Sequence, residues 1–430
     1  MKKRVVITGL GVVAPNGVGI PEFSEAIKKG ISGIRFFPEL RELKFSCQLG
    51  AMPTISEEKK REYLSDLQLR NFNSSGILYG VIAGMDALKD AKLEPAKSNE
   101  EPLWDLGIIF GSGTSGVEKF REAIYKIDDK NVRRLGSNSV AQTMTSGVSA
   151  YLGGLIGAGN MVTANSSACA TGTEALLMGY EHIANGKATY MLCGSTSDSG
   201  PYIWGGFDAM KVTTYKYNDC PEKVAGPMSA DVSGFVPGSG AGAYLLESYE
   251  NAKKRGAIIY AEILGGAINN GGQRGGGSMT APNSQAIQKC IKDALKDANI
   301  SASEIDYING HLTATIKDPD EIENWSIALN RKGADFPYIN SLKGMVGHCL
   351  AASGSIEIVS AILQLHEGFV FPNVNCEKLH PKIVSLISSD LPAGKAGKIS
   401  TKLLKKPLKT IAKASFGFGD VNACVIFKKN

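Results

Sequence analysis

A cysteine held among small residues can serve as a nucleophile, and Ser167-Ala168-Cys169-Ala170-Thr171-Gly172 is such a setting. The run Met161 to Asn165 before it predicts a strand, and the apolar stretch through Leu176, Leu177 and Tyr180 predicts a helix after it. A thiol at that helix start would meet unpaired N–H groups and the positive end of the helix dipole, which favour thiolate. Taken alone, Cys169 reads more readily as a small buried hydrophobe, as free cysteines commonly are. Histidine changes that balance. The chain has five, and two lie in small-residue loops: His311 in Asn309-Gly310-His311-Leu312-Thr313-Ala314-Thr315, and His348 closing Ser341-Leu342-Lys343-Gly344-Met345-Val346-Gly347-His348, ahead of an apolar helix that contains Glu357. His182, His366 and His380 have no such setting and read as structural.

The elements that must position these side chains alternate. Val5 to Thr8 and Leu106 to Phe110 are apolar runs that end in glycine, the pattern of buried strands feeding turns. Further strands are predicted at Tyr190 to Cys193, Ala241 to Leu246, Ile258 to Leu264, Ile305 to Ile308 and Cys424 to Phe427. Between them lie helix-period segments, clearest at Ser284 to Ala298, where Ala286, Ile287, Cys290, Ile291, Ala294 and Leu295 share one face. Strands alternating with helices indicate an α/β architecture. Thr171-Gly172-Thr173 and Ser353-Gly354-Ser355 open or enter similar apolar helices, a faint repeat that implies two related units, 1–255 and 256–430. Gly265 to Gly277 reads as a loop, and Lys402 to Lys409 as a solvated surface run.

Composition narrows the functional classes. At 430 residues the chain exceeds one ordinary core, and its 21% charged and 43% apolar residues are those of a globular protein. The net charge of +5 comes from 47 basic and 42 acidic residues without a dense basic stripe, which argues against nucleic acid and is compatible with an acidic partner. Eight cysteines lack metal-site spacing and read as reduced thiols, so the cytoplasm is the expected compartment and no metal is expected. Lys2, Lys3 and Arg4 imitate a signal peptide, but Thr8, Gly9 and Gly11 interrupt the apolar run. The chargeless stretch Leu135 to Thr173 is too rich in Ser, Thr, Asn, Gln and Gly for a membrane span and is read as a buried helix. Gly9-Leu10-Gly11 and Gly111-Ser112-Gly113 imitate dinucleotide fingerprints, yet Pro15 and Gly17 spoil the helix after the first, and neither has the acidic residue such sites need.

With these motifs in order, the chain resembles the β-ketoacyl-acyl carrier protein synthases of the thiolase superfamily, in their elongating type. The likeness runs nearly end to end: Val6-Ile7-Thr8-Gly9-Leu10-Gly11, the Ala-Cys-Ala-Thr-Gly turn at 168 to 172, Gly234-Phe235-Val236 with Gly240-Ala241-Gly242, Lys343 to His348, and Ser415-Phe416-Gly417-Phe418-Gly419. The resemblance implies a duplicated thiolase fold, each half carrying a five-stranded mixed sheet, layered α-β-α-β-α. It implies that Cys169 accepts an acyl group from acyl carrier protein, that the N–H groups of Cys169 and Phe418 form an oxyanion hole, and that His311 and His348 stabilise the enolate of a decarboxylating malonyl thioester. Lys343 would tune the histidines with Glu357. Thr313 and Thr315 would hold the pantetheine arm, or else simply cap their loop, and Phe110 and Phe207 would line the acyl pocket. Arg133, Arg134 and Lys211 match carrier-docking positions, although exposed basic residues commonly just solvate. No cofactor is implied beyond the carrier's own phosphopantetheine, and a homodimer is the usual assembly, with a heterodimer of related subunits as the variant.

Several positions depart from the family pattern. Leu312 stands where glycine is usual and places bulk beside His311. Asp420 follows Gly417-Phe418-Gly419 and would set a carboxylate at the acyl-pocket gate. Ser239 replaces an acidic residue, and Val232-Ser233 replaces Arg-Asp. The catalytic set stays whole, and a specialised polyene, pigment or polyketide pathway stands beside fatty acid synthesis. A non-catalytic chain-length subunit would be expected to lack Cys169, and a thiolase acting on coenzyme A thioesters would be expected to carry two reactive cysteines.

Overall fold

Strand β1 (Val5–Ala14) is buried at every position, as a strand covered on both faces must be. The computed structural model describes residues 2–387 and 398–430. After β1 come β2 (Leu106–Ser112), β3 (Val162–Thr163), β4 (Tyr190–Ser197) and β5 (Gly240–Ser248), then β6 (Ala261–Asn270), β7 (Tyr307–Asn309), β8 (Tyr338–Asn340), β9 (Thr410–Gly417) and β10 (Val421–Lys428). The spatial order is β8-β7-β9-β10-β6-β1-β5-β4-β2-β3, with the short strand Gly17–Val18 added against β1. Each half repeats one plan. From the outer edge inward, β3, β2 and β4 are parallel and β5 and β1 antiparallel, and β8, β7, β9, β10 and β6 repeat that pattern. The five strands of each half match the expected duplicated sheet. The halves also join edge to edge, because Val5 to Ile7 pair with Ile263 to Ala261.

Helices cover and separate the halves. The main ones are α1 (Ser75–Asp90), α2 (Val117–Asp128), α3 (Thr171–Ala184), α4 (Ser284–Asp297), α5 (Asp318–Leu329) and α6 (Ser353–Glu367). α6 is buried from Ser353 to Leu365, its polar row Ser353, Glu357, Ser360 and Gln364 included, the mark of a helix enclosed on all sides. It and α3 share the central core with β1. A second core joins α4 and α5 to β7, β9 and β10, and a third joins α1 to β2 and β5. These three cores place the helical and sheet layers in the α-β-α-β-α sequence.

The two glycine triplets of the internal repeat meet at the centre. A Cβ on Gly172 would lie 2.4 Å from Ser355 N, and one on Gly354 would lie 3.0 Å from Thr173 N, so α3 and α6 touch at their N-terminal turns only because both residues are glycine. The glycines of β1 serve packing too: a Cβ on Gly9 or Gly11 would strike the carbonyl of Ala87 or Ala83 in α1. That contact accounts for the apparent nucleotide fingerprint.

Several predicted boundaries shift. The strand predicted over Met161 to Asn165 shrinks to Val162–Thr163. Leu135 to Thr173 is not one buried helix: helices Ser139–Thr143 and Gly147–Ile156 occupy parts of it, the second ended by left-handed Gly157. Gly265 and Gly266 belong to β6 rather than to a loop; a Cβ on Gly266 would meet Leu177 of α3 at 2.3 Å, so glycine lets the helix settle on the strand. β8 and β9 were not legible in the pattern. β8 is three residues long, and Lys413 interrupts the apolar run of β9 although all eight of its positions are buried. Among the described residues no helix is long and apolar enough to cross a membrane.

Candidate active site

The turn before α3 aims Cys169 by a strained backbone. Ala168 has φ 46°, a left-handed conformation that costs a non-glycine residue about 1–2 kcal/mol. Local bonds hold it there: Thr171 Oγ1 donates to the Ala168 carbonyl at 2.7 Å and accepts from Ser167 N–H at 2.9 Å, while Asn165 Nδ2 donates to the Thr171 carbonyl and to Glu174. Cys169 is buried at 9% exposure. The backbone N–H groups of Phe418 and of Cys169 itself face the sulfur, the two donors that the resemblance assigns to an oxyanion hole. Burial pushes the thiol up to about 11, against the opposing pull of the Lys343 ammonium and the Phe418 N–H. The resting form is therefore the thiol, not the thiolate read from the helix terminus alone. Desolvation is a tertiary effect and outweighs the dipole here.

His311 and His348 arrive from two separate loops of the C-terminal half. One ring nitrogen of each and Cys169 Sγ lie within 4.8 Å of one another, and the two rings meet edge to face at 5.5 Å. Nδ1 of His348 accepts the Leu350 N–H at 3.0 Å and lies 3.0 Å from Ser353 Oγ. An accepting Nδ1 assigns the proton of the neutral ring to Nε2. His311 Nδ1 lies 3.4 Å from Lys343 Nζ, and an ammonium can only donate, so the same tautomer follows. Burial first, and Lys343 next, hold both imidazoles well below their ordinary pKa. Each is thus a neutral ring with an Nε2–H donor, suited to an oxygen that gains negative charge.

The supports of the histidines are buried ions. Lys343 Nζ bonds the His311 carbonyl at 2.5 Å and pairs with Glu357. Two carboxylates in the first turn of α5 hold the His311 loop: Glu321 accepts the N–H groups of His311 (2.8 Å) and Leu312 (2.7 Å), and Asp318 accepts those of Thr313 (2.8 Å) and Ala314 (3.1 Å). Neither was foreseen, though acidic residues just inside a helix start are a sequence signal for such capping. Leu312 does not crowd the site. Its side chain is buried in the C-terminal core at 1% exposure, and the lack of a side chain on Gly310 leaves it room, since a Cβ there would lie 2.7 Å from Leu312 Cδ1.

The remaining candidates divide. Phe207 lies between Phe235 (5.8 Å) and Phe418 (6.0 Å), and Phe235 is 4.9 Å from the His348 ring, so the three aromatics form one wall beside the histidine. Phe235, quoted only as part of a motif, belongs to the site. Thr313 and Thr315 are half-buried, with their hydroxyls 3.0 Å apart. Phe110 is fully buried at the end of the apolar part of β2, its ring against Gly80 and Gly194. Asp420 is not at the gate. Its carboxylate turns away and accepts the N–H groups of Gln273 (3.0 Å) and Asn283 (2.8 Å), clasping the loop after β6, because left-handed Asp420 (φ 66°) points its side chain back toward Gly271 and Gly277. Arg133, Arg134 and Lys211 are exposed and have no ion-pair partner among the described residues.

A buried thiol with two backbone donors and two neutral imidazole donors defines a thiol-dependent acyl-transfer site on a duplicated five-layer fold. Two family models match the chain: the β-ketoacyl synthase N-terminal domain over residues 2–252 and its C-terminal domain over residues 260–377. The chain belongs to the β-ketoacyl synthase family. It is 31% identical to the 3-oxoacyl-[acyl-carrier-protein] synthase 1 of Escherichia coli, covering 99% of each chain. It is also 31% identical to the chloroplastic 3-oxoacyl-[acyl-carrier-protein] synthase I of Arabidopsis thaliana, over 99% of this chain and 86% of that one. A crystal structure of a β-ketoacyl synthase from Burkholderia phymatum superposes at TM-score 0.85 with 29% identity, covering both chains fully. A type II polyketide synthase ketosynthase, bound to the hexaketide and in complex with its acyl carrier protein, does so at 0.85 with 30% identity.

Proposed function

We propose that the protein condenses a Cys169-bound acyl group with malonyl-acyl carrier protein, releasing carbon dioxide and a β-ketoacyl-acyl carrier protein. The observation that carries this reading is the convergence of Cys169 Sγ with one nitrogen each of His311 and His348 within 4.8 Å, beneath the N–H groups of Phe418 and Cys169. In the first half-reaction the sulfur attacks the acyl thioester; the carrier thiolate leaves and takes up the thiol proton. Malonyl-acyl carrier protein then binds, with Thr313 and Thr315 toward its pantetheine arm. As its C–C bond to the carboxylate breaks, the electron pair passes into the thioester carbonyl, whose oxygen the two Nε2–H groups hold. The enolate carbon attacks the acyl carbonyl, the oxyanion rests on Phe418 and Cys169 N–H, and Cys169 departs as thiolate and regains a proton. Loss of carbon dioxide drives the step, so we assign it no redox cofactor and no metal.

We further propose that the acyl tail runs toward the buried Phe110, whose ring would favour short or flat acyl groups, compatible with a specialised chain as well as with fatty acids. Arg133, Arg134 and Lys211 are the proposed contacts for the acidic carrier. We place the enzyme in the cytoplasm, where its eight free cysteines stay reduced, and keep the division near residue 255 as the boundary between its halves. We also propose a homodimer through the open edge at β3, where Met161 and Val162 are 37% and 38% exposed; a protein that dimerises only with a related subunit would contradict this. Mass spectrometry of products formed with a matched carrier protein and malonyl donor tests the reaction. A β-ketoacyl chain two carbons longer than the primer is expected, and an unchanged primer with a full complement of substrates would overturn the reading.

A further inference from the structure

A second layer of buried charge lies under the histidines. Glu357, 1% exposed, pairs through Oε1 with Lys343. On its other side Lys413 Nζ, fully buried in the middle of β9, approaches Oε2 at 2.9 Å. That approach is not aligned as a hydrogen bond and leaves Oε2 without a directed donor, so the contact supplies charge rather than a directed bond. The directed bonds of Lys413 go to the Ala414 carbonyl and to Ser415 Oγ at 3.0 Å. Burial lowers the pKa of Lys413 and Glu357 opposes that, and the atoms its nitrogen reaches are acceptors, which suits an ammonium with its three donors and no lone pair. Ser415 Oγ in turn lies 2.9 Å from Thr173 Oγ1, in the first turn of α3 just after Cys169. The same strand ends in the segment that presents Phe418.

A Lys343–Glu357 pair alone would be neutral; with Lys413 the triad carries one surplus positive charge. We propose that Lys413 is a positioning residue of the condensing site, sharing Glu357 with Lys343 so that this triad keeps a net positive charge beside Cys169 and the histidines. This rests on the condensation reading and adds a member to its machinery. The surplus charge favours the two anions of the cycle, the Cys169 thiolate and the malonyl enolate, and disfavours protonation of His311 and His348. The groups that face His311 are Lys343 from the short turn Lys343–Val346, Glu357 from α6, Lys413 from β9, Glu321 from α5, and His348 and Cys169. Lys413 is among the charges that depress both histidines. Removing a buried cation of this kind leaves its carboxylate partner under-compensated, which is why charge, not volume, is the variable to test.

Three variants separate charge from packing. Lys413→Met removes the cation, Lys413→Gln also removes it but keeps donors for Ala414 and Ser415, and Lys413→Met with Glu357→Gln removes both charges and restores a net charge of one through Lys343. The readouts are the pH dependence of Cys169 alkylation by iodoacetamide, measured without acyl substrate, and the acid limb of malonyl turnover. In either single variant the alkylation midpoint is expected to move up by about half to one pH unit, a roughly three- to tenfold slower reaction at fixed pH. The acid limb is expected to move up as well, and the double variant to return toward wild type in both. Where Lys413→Met does not fold, Lys413→Gln and the double variant decide. Folded variants with the wild-type alkylation profile, or a double variant no better than the single, would overturn the role of Lys413. Failure of the wild type to form any β-ketoacyl product would instead refute the condensation reading.

Discussion

Replacing Phe110 by alanine is expected to lengthen the acyl chain that the enzyme accepts. The ring is fully buried between Gly80 and Gly194, where ideal Cβ positions lie 3.1 and 2.6 Å from its carbons, so these two neighbours have no side chain to fill the space it leaves. Loss of a ring in such a site costs about 3–5 kcal/mol of stability. The vacated volume takes roughly three methylenes of an acyl tail at about 0.8 kcal/mol each, close to 2.4 kcal/mol, or some 50-fold in relative acylation rate for a long over a short primer. Rates of Cys169 acylation across a saturated carrier series from butyryl to dodecanoyl give the comparison, with thermal unfolding run beside it. The variant should be less stable in its free form and regain stability with a long acyl group on Cys169. If the wild type already takes dodecanoyl as readily as the variant does, Phe110 is not the limiter and the acyl tail runs elsewhere.

Three further outcomes follow from the geometry. Alanine at His311 or His348 should slow malonyl decarboxylation about 100- to 1000-fold while sparing acylation of Cys169; decarboxylation at the wild-type rate in both variants would remove the enolate role. Asp420→Ala should raise amide hydrogen exchange at Gln273 and Asn283 and leave the chain-length profile in place, whereas a changed profile with unchanged exchange would return Asp420 to the gate. Burial, chiefly, with Asp318 adding, raises the Glu321 carboxyl to about 7 against the pull of the Leu312 and His311 N–H groups. Its folded pKa is above its unfolded value, so this stabilising contribution is complete below the ordinary carboxyl range and lost as pH rises through 7. It amounts to about 3 kcal/mol. Unfolding of wild type and Glu321→Gln compared from pH 5 to pH 8 should show the slope in the wild type alone; parallel curves would refute the assignment.

What the sequence made legible is what depends on neighbours along the chain. Cys169 stands among small residues before an apolar helix, and the glycine triplets at 172 and 354 repeat closely enough to indicate the duplication, though not that they touch. The thiol's state was not legible, because the helix start is a local feature and the burial that outweighs it is not. Asp420 illustrates the same limit: its place in the motif is sequential, while its left-handed backbone, which turns the carboxylate onto Gln273 and Asn283, appears only in the folded loop. Lys413 hid β9 by breaking its apolar run, since a lysine reads as exposed until its carboxylate partner on a distant helix is known. Asp318 and Glu321 looked like ordinary helix-start acids until the His311 loop was seen folded back onto them.

The central claim is that Cys169 carries the acyl group that malonyl-derived carbon attacks. Peptide mass mapping after incubation with an acyl-carrier thioester, before and after adding malonyl-acyl carrier protein, tests it most directly. The acyl mass should appear on Cys169, then vanish as a carrier-bound β-ketoacyl chain two carbons longer forms, with neither event in Cys169→Ser. An acyl mass on Cys193 or Cys349, or one on Cys169 that persists unchanged in the presence of malonyl-acyl carrier protein, would contradict the account.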